Sequence, residues 1–226
     1  MSAILFRASS IGRLMPEPKT KKEGILSVGA RTFIRSLVAQ DIFGINFEIS
    51  SRPMEKGILC EQEGIELVNR VRGLSLAKNT KRIRDDFITG ECDLWDEPRR
   101  EGRDIKCAWS AATFPILPDD AFDREYEWQM RAYMRLWDAP RWHVDYVLIS
   151  TPPHLIGFEP IAMHFFDHLP EAHRVTTWTV ERDAELEARM IEKVSAAREY
   201  YAQVVAEFDA THPYATEDAG EPHAAS

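Results

Sequence analysis

What this chain lacks narrows the possibilities before anything it contains. No apolar run approaches the ~20 residues that a membrane-spanning helix needs, and the apolar part of the opening stretch MSAILFRASS is too short for a secretory signal. The expectation is a soluble, cytoplasmic protein without a membrane partner. Cysteine is scarce: Cys60, Cys92 and Cys107 are odd in number and lack CxxC spacing. That excludes a disulfide framework, a zinc ribbon and a four-cysteine iron–sulfur site, and the three read as buried thiols. His143, His154, His164, His168 and His173 have no compact ligand spacing and read as ordinary surface or core histidines. Internal repeats are absent.

Positive charge is also in short supply, with 28 Lys and Arg against 37 Asp and Glu and a net charge of -9. A deficit of that size counts against a nucleic-acid partner only if it is evenly spread, and it is not. Residues 1 to 120 carry a net +1, and residues 121 to 226 carry -10. In the first half the cations cluster as Lys19, Lys21 and Lys22, then Arg70, Arg72, Lys78, Lys81, Arg82 and Arg84, then Arg99, Arg100 and Arg103. This half is the candidate polyanion face; its alternative is an ordinary solvated surface.

At 226 residues and 44% hydrophobic, the chain is long enough for one core. One domain is expected over residues 1–208, with a disordered acidic tail over 209–226. Ser9 and Ser10 stand before a short periodic segment and read as a capped helix start. Ile34, Leu37, Val38 and Ile42 share a helical face that ends at Gly44. Ile58, Ile65, Val68 and Val71 form a second stripe between Pro53 and Gly73. From Leu74 to Ala108 short apolar runs broken by polar turns predict an antiparallel meander. Trp128, Ala132 and Leu136 predict another helix, WHVDYVLIST a strand, and residues 180–208 a closing helix with acidic first turns. The fold class is α+β, with a central mixed, mainly antiparallel sheet flanked by helices.

The chemistry concentrates in GECDLWDEPRREGRDIKC, residues 90 to 107. Strand alternation puts Asp104 and Lys106 on one face and turns Ile105 toward the core. Asp93 lies near the end of the preceding run, and pairing across the 96-to-102 turn would bring the two carboxylates together. Two carboxylates and the Ile105 carbonyl make an oxygen-rich site suited to a hard cation such as Mg²⁺, which would relieve their repulsion. Lys106 would then stand beside an attacking water, an arrangement that suits phosphodiester hydrolysis. Ser9 and Ser10 at a helix start could hold a phosphate as well as cap the helix.

GECD through DIK resembles the motif of the PD-(D/E)XK nuclease superfamily. Gly57 to Glu61, GILCE, resembles the GxxxE helix motif of its RecB-like and phage lambda exonuclease branch, and Gln129 to Tyr133, QMRAY, resembles the QxxxY motif. The elements occur in the family's order, over about residues 8 to 150. Cys92 stands where the proline of the motif's name would be, as that branch often allows. The resemblance implies a restriction-endonuclease-like core, with Asp93, Asp104 and the Ile105 carbonyl as metal ligands and Glu61 as a further ligand, through water. Lys106 would position the attacking water, Gln129 would support the lysine or the water, and Tyr133 would pack the helix or touch the scissile phosphate. One or two Mg²⁺ or Mn²⁺ ions would act, and Ca²⁺ would bind without turnover. Ser9, Ser10 and Arg13 would meet the 5′-phosphate of the strand being degraded, beside the basic loop PEPKTKKEG.

The implied activity is exonuclease digestion of double-stranded DNA ends, 5′-to-3′, in a phage-type recombination system in a bacterial or phage-infected cell. A single-strand annealing protein would be the partner, and a ring-shaped homo-oligomer the assembly. Two other readings stay open: an endonuclease of the same superfamily, which would also cut closed circles, and a non-catalytic DNA-binding module. The intact acid–acid–lysine set counts against the module. The last third of the chain carries no motif that we can place.

Overall fold

In the computed structural model, which describes residues 4–47 and 49–213, the chain runs helices first, then two small sheets interleaved with a crossover helix, then a long closing helix. β1 (Phe6–Arg7) leads into a 3-10 helix, Ala8–Leu14. α1 (Val28–Phe43) starts where the Ser27 hydroxyl accepts the Ala30 N–H at 3.2 Å and stops at Gly44, whose φ of 64° is left-handed. Ile34 and Val38 of the expected stripe are buried; Leu37 and Ile42 are half-buried.

α2 (Arg52–Arg72) is capped by Ser51, carries Pro53 in its first turn and ends at Gly73. Its apolar stripe differs from expectation at the start. Ile58 is 73% exposed, and the buried face runs through Lys56, Cys60, Gly64, Leu67 and Val68. The cause is Lys56, which is fully buried because its ammonium donates to the carbonyls of Ala108 at 2.7 Å and Trp109 at 3.1 Å. A helix that turns position 56 inward turns position 58 to solvent.

The expected meander is divided. β2 (Ile83–Arg84) and β3 (Ile88–Gly90) are antiparallel, and β1 joins β3 in parallel to make a three-stranded sheet. β4 (Leu94–Asp96) pairs antiparallel with β5 (Glu101–Cys107) in a second sheet of order β4-β5-β6-β7. LSLA forms no strand; only Lys78 bridges to Leu94. After β5 the chain crosses over through α3 (Arg124–Trp137) and returns as β6 (Arg141–Val147), parallel to β5. The short α4 (Pro153–Ile156) follows, then β7 (Val175–Glu181), antiparallel to β6 and not anticipated from the sequence. α5 (Ala184–Thr211) carries the helix past residue 208. Residues 214–226, most of the expected tail, lie outside the described residues.

β5 is therefore covered on both faces. Ile105 packs against α2, where a Cβ built on Gly64 would stand 3.0 Å from the Ile105 methyl and 3.1 Å from Val147; the missing side chain lets the helix lie close. On the opposite face α3 packs over Asp104, and Trp142 lies across Gly102. A Cβ at Gly102 would sit 2.0 Å from the Trp142 ring, which is fully buried. Gly102→Ala must push that ring or the strand aside, and overpacking of this kind costs roughly 3 kcal/mol or more. The midpoint of urea unfolding should drop accordingly, while an Ala at Gly57, which meets nothing within 4 Å, should leave it unchanged or raise it slightly.

Candidate active site

The β4–β5 register pairs Leu94 with Arg103, so Asp93, one step earlier, faces Asp104 across the two strands. The pairing that the sequence suggests is realised, although Asp93 precedes β4 rather than ending β3. Its main chain is braced by Asn79, whose N–H donates to the Asp93 carbonyl at 2.7 Å and whose side-chain amide donates to the Cys92 carbonyl at 3.0 Å. The Asp93 carboxylate accepts the Ile105 N–H at 2.6 Å.

Asp104 is 2% exposed. One carboxylate oxygen, Oδ1, accepts from Gln129 Nε2 at 3.2 Å. The other, Oδ2, has the Lys106 ammonium 2.6 Å away but no donor in hydrogen-bonding geometry. Lys106 also lies 4.3 Å above the ring of Tyr126. Gln129 is fixed in turn: its Nε2 donates to the Tyr133 hydroxyl at 3.1 Å, and that hydroxyl donates to the Glu91 carbonyl at 2.9 Å. Tyr133 is buried and its hydroxyl is fully used, so it acts here as a brace.

These contacts set the ionisation of the group. Burial, and next the charge of Asp104, pushes Asp93 up to about 7; the Ile105 N–H opposes them without prevailing. Burial works against a charged Lys106, but the Asp104 carboxylate more than offsets it and holds the lysine above its ordinary range. At neutral pH Lys106 is thus a cation that orients and polarises rather than a base. Two crowded carboxylates, with one buried oxygen lacking a donor, are a donor set that fits a hard divalent cation.

Glu61 stands apart from this pair. Its carboxylate is held by the Lys78 ammonium, which it raises above the usual lysine range. Among the described residues no three His, Cys, Asp or Glu side chains converge as a ready metal cage. Sequence reasoning did not single out Asn79 or Tyr126, and it saw Lys78 only as part of a basic cluster; none of the three belongs to a local pattern. The histidines match expectation: His143 lies between Thr179 and Glu101, and His164 between Thr151 and Glu159.

Ser9, Ser10 and Arg13 do come together, lining a cavity of about 600 Å³ with Arg7, Gln40 and Asn46. The expected serine cap is not formed. Arg7 is the N-cap, and the Ser10 hydroxyl donates back to the Arg7 carbonyl at 2.8 Å, leaving Ser9 as the exposed hydroxyl. The Arg13 guanidinium stacks 4.0 Å over Phe33. Asp41 also borders the cavity, its carboxylate taken by the Tyr201 hydroxyl.

The raised Asp93 has a measurable consequence in metal-free protein. The folded chain keeps this proton to about pH 7, while the unfolded chain releases it near the ordinary carboxylate range, so stability falls as pH rises between those limits. Asp93→Asn removes the titration and can keep the Ile105 hydrogen bond. Relative to wild type, its melting temperature should rise from pH 4 to pH 7 by on the order of 5 °C and then level off. A constant difference across that range would show that Asp93 is not raised.

No protein-family model matches the sequence, and no curated protein does. Solved structures do. The fold superimposes on a phage-related exonuclease from Haemophilus somnus 129PT with a TM-score of 0.86 and 35% identity, over 91% of this chain and 97% of that one. An alkaline exonuclease from Laribacter hongkongensis gives a TM-score of 0.69 at 16% identity, over 92% of this chain and 93% of its own; its complex with dAMP gives 0.67 at 17%. With one relative this similar along nearly its whole length, and with the acid–acid–lysine set assembled from β5 and the residue just before β4, the chain belongs to the phage-related exonucleases, the lambda exonuclease branch of the PD-(D/E)XK nuclease superfamily.

Proposed function

We propose that this protein is a metal-dependent deoxyribonuclease that removes nucleotides from the ends of duplex DNA, 5′-to-3′. The observation that carries this reading is the convergence of Asp93, Asp104, Lys106 and Gln129 at the β4–β5 pairing. The naming of two structural relatives as exonucleases, one of them solved with a nucleoside monophosphate, supports it.

Asp93, Asp104 and the Ile105 carbonyl would hold Mg²⁺ or Mn²⁺, with Glu61 as an outer partner. Bound there, the ion would act as a Lewis acid on the scissile phosphate and its attacking water. The chain's own residues do the remaining work. Lys106, charged at neutral pH, orients the water and neutralises charge building on the phosphate oxygens. Gln129 keeps the Asp104 carboxylate from rotating, and Tyr133 keeps Gln129 in place. Near the end of the substrate, Arg13 and Ser9 would receive a 5′-terminal phosphate in the cavity that they line. This would direct digestion along one strand. Family membership supports a role in phage-type recombination, handing single strands to an annealing protein, and a ring-shaped homo-oligomer.

End-labelled linear duplex and covalently closed circular DNA, each with Mg²⁺, Ca²⁺ or EDTA, test the reading. Mononucleotides should appear from linear DNA alone and in Mg²⁺ alone. Lys106→Ala and Asp104→Asn should each lower the rate by about 100-fold or more. Cleavage of circles would replace the exonuclease with an endonuclease; binding without cleavage in every metal would leave a DNA-binding module. Arg13→Ala should raise KM for 5′-phosphorylated ends by roughly 10-fold while leaving 5′-hydroxyl ends unaffected, since a charge-assisted contact is worth about 1.5 kcal/mol or more. Equal losses on both ends would remove Arg13 from phosphate recognition.

A further inference from the structure

Cys60 and Cys107 are nucleophilic groups that the reaction above does not use. Cys60 lies on α2 immediately before Glu61, and Cys107 ends β5 immediately after Lys106. α2 reaches the strand because Gly64, one turn beyond Cys60, has no side chain to hold it off. With Lys56 held on the carbonyls just after Cys107 and Gly64 packed on Ile105, Cys60 lies between those two points on the helix, and both thiols share one apolar cluster with Leu67, Val68, Val147 and Ile149. The buried ammonium of Lys56, anchored on the Ala108 and Trp109 carbonyls, acts electrostatically on both sulfurs. Cys92 is elsewhere, buried with its sulfur 3.7 Å from the Leu94 carbonyl.

We propose that Cys60 and Cys107 form a peroxide-sensitive site, whose disulfide ties α2 to β5 beside the Asp104–Lys106 motif and slows the nuclease. The second half of this statement rests on the function proposed above; the first does not.

A small hydroperoxide reaches the pair past the half-buried Cys107 and reacts first with one of the two thiols. The sulfur of that thiol attacks one oxygen of hydrogen peroxide, the O–O bond breaks, and the sulfur becomes a sulfenic acid while hydroxide leaves with the thiol proton as water. The sulfur of the other cysteine then attacks that sulfur. The S–S bond forms, the S–O bond breaks, and a second hydroxide leaves with the second thiol's proton as water. Two thiols and one peroxide give one disulfide and two waters.

A disulfide sets the sulfurs about 2.05 Å apart, well inside their contact distance without the bond. The closure must draw α2 and β5 together at a point where Gly64 already packs tightly on Ile105, so the strand shifts beside Lys106. Displacements of about 1 Å at a catalytic group can cost as much as 100-fold in rate, and a tenfold loss is expected here.

The test treats the whole protein with hydrogen peroxide, alkylates the remaining thiols and maps peptides without reduction. The expected product is two hydrogens lighter, links the Cys60 peptide to the Cys107 peptide, and leaves Cys92 alkylated. Digestion of linear duplex should fall about tenfold and return with dithiothreitol. Cys60→Ala and Cys107→Ala should keep the untreated rate and resist peroxide, and Cys92→Ala should form the same cross-link as wild type. Sulfinic acid without a cross-link, a bridge through Cys92, or a peroxide loss that persists in both alanine variants would overturn the proposal. Should the reduced wild type cleave no DNA, the fault lies with the proposed function, and the peptide map alone decides the disulfide.

Discussion

Everything at this site follows from the enforced closeness of two carboxylates. Asp93 and Asp104 face each other because the β4–β5 register leaves them no other place, and the strands are held by their ladder and by packing on both faces. Like charges at such a distance repel strongly where solvent is excluded. The chain answers with one main-chain amide for Asp93, and with one ammonium and the Gln129 amide for Asp104, which is too little to stabilise both as anions. The remaining demand for positive charge is what a divalent cation, as proposed above, would meet. A fold that met this demand with its own side chains would have no affinity left for a metal.

The same balance bears on the wider surface. Many basic residues that mark the first half as a polyanion face already have partners: Arg70 with Glu171, Arg82 with Glu91, Arg99 with Asp96, and Arg100 with Asp138. All four cations are half exposed or more, and ion pairs of that kind contribute little to stability. A phosphate of the proposed DNA substrate would therefore displace the carboxylate at small cost. In the second half the cations are consumed more deeply, as Arg135 bridges Asp85 and Glu187 and Arg131 clasps Glu127 with 9% of its side chain exposed. The half carrying -10 uses its few cations internally, and its surface stays acidic.

Local periodicity made the site's scaffold legible and hid its braces. Asp104 and Lys106 could be put on one strand face, and Gln129 and Tyr133 on one helix face, because periods of two and of three to four need no knowledge of the fold. What periodicity cannot see is a polar residue facing inward for a tertiary reason. Lys56 broke the reading of α2 at its first turns, since a lysine on a buried face looks like a solvent position until the Ala108 and Trp109 carbonyls are in place. Asn79 lies in a stretch with no regular structure and matters only through its bonds to Asp93 and Cys92. β7 went unseen because VTTWTVE alternates weakly and follows a stretch of prolines and histidines. The parallel pairing of β5 with β6 depends on α3 as a crossover, a relation between elements that no single window contains.

Lys56 also ties the two sides of the site together. A buried lysine without a carboxylate is expensive, and burial pulls this one below its ordinary range even with the nearby thiols favouring the charge. Apolar packing alone would let α2 slide on the sheet, since dispersion contacts have little directional preference. Hydrogen bonds from one ammonium to two successive carbonyls do not slide, because both distances and both angles must be kept. These carbonyls follow directly after Cys107, two and three residues beyond Lys106. The helix that carries Glu61 is thus indexed to the strand that carries the lysine of the motif by a polar clamp, with Gly64 fixing how near they lie. Positional accuracy at the carboxylates is maintained from a point well outside them, on the Ile105 side of β5 that α2 covers.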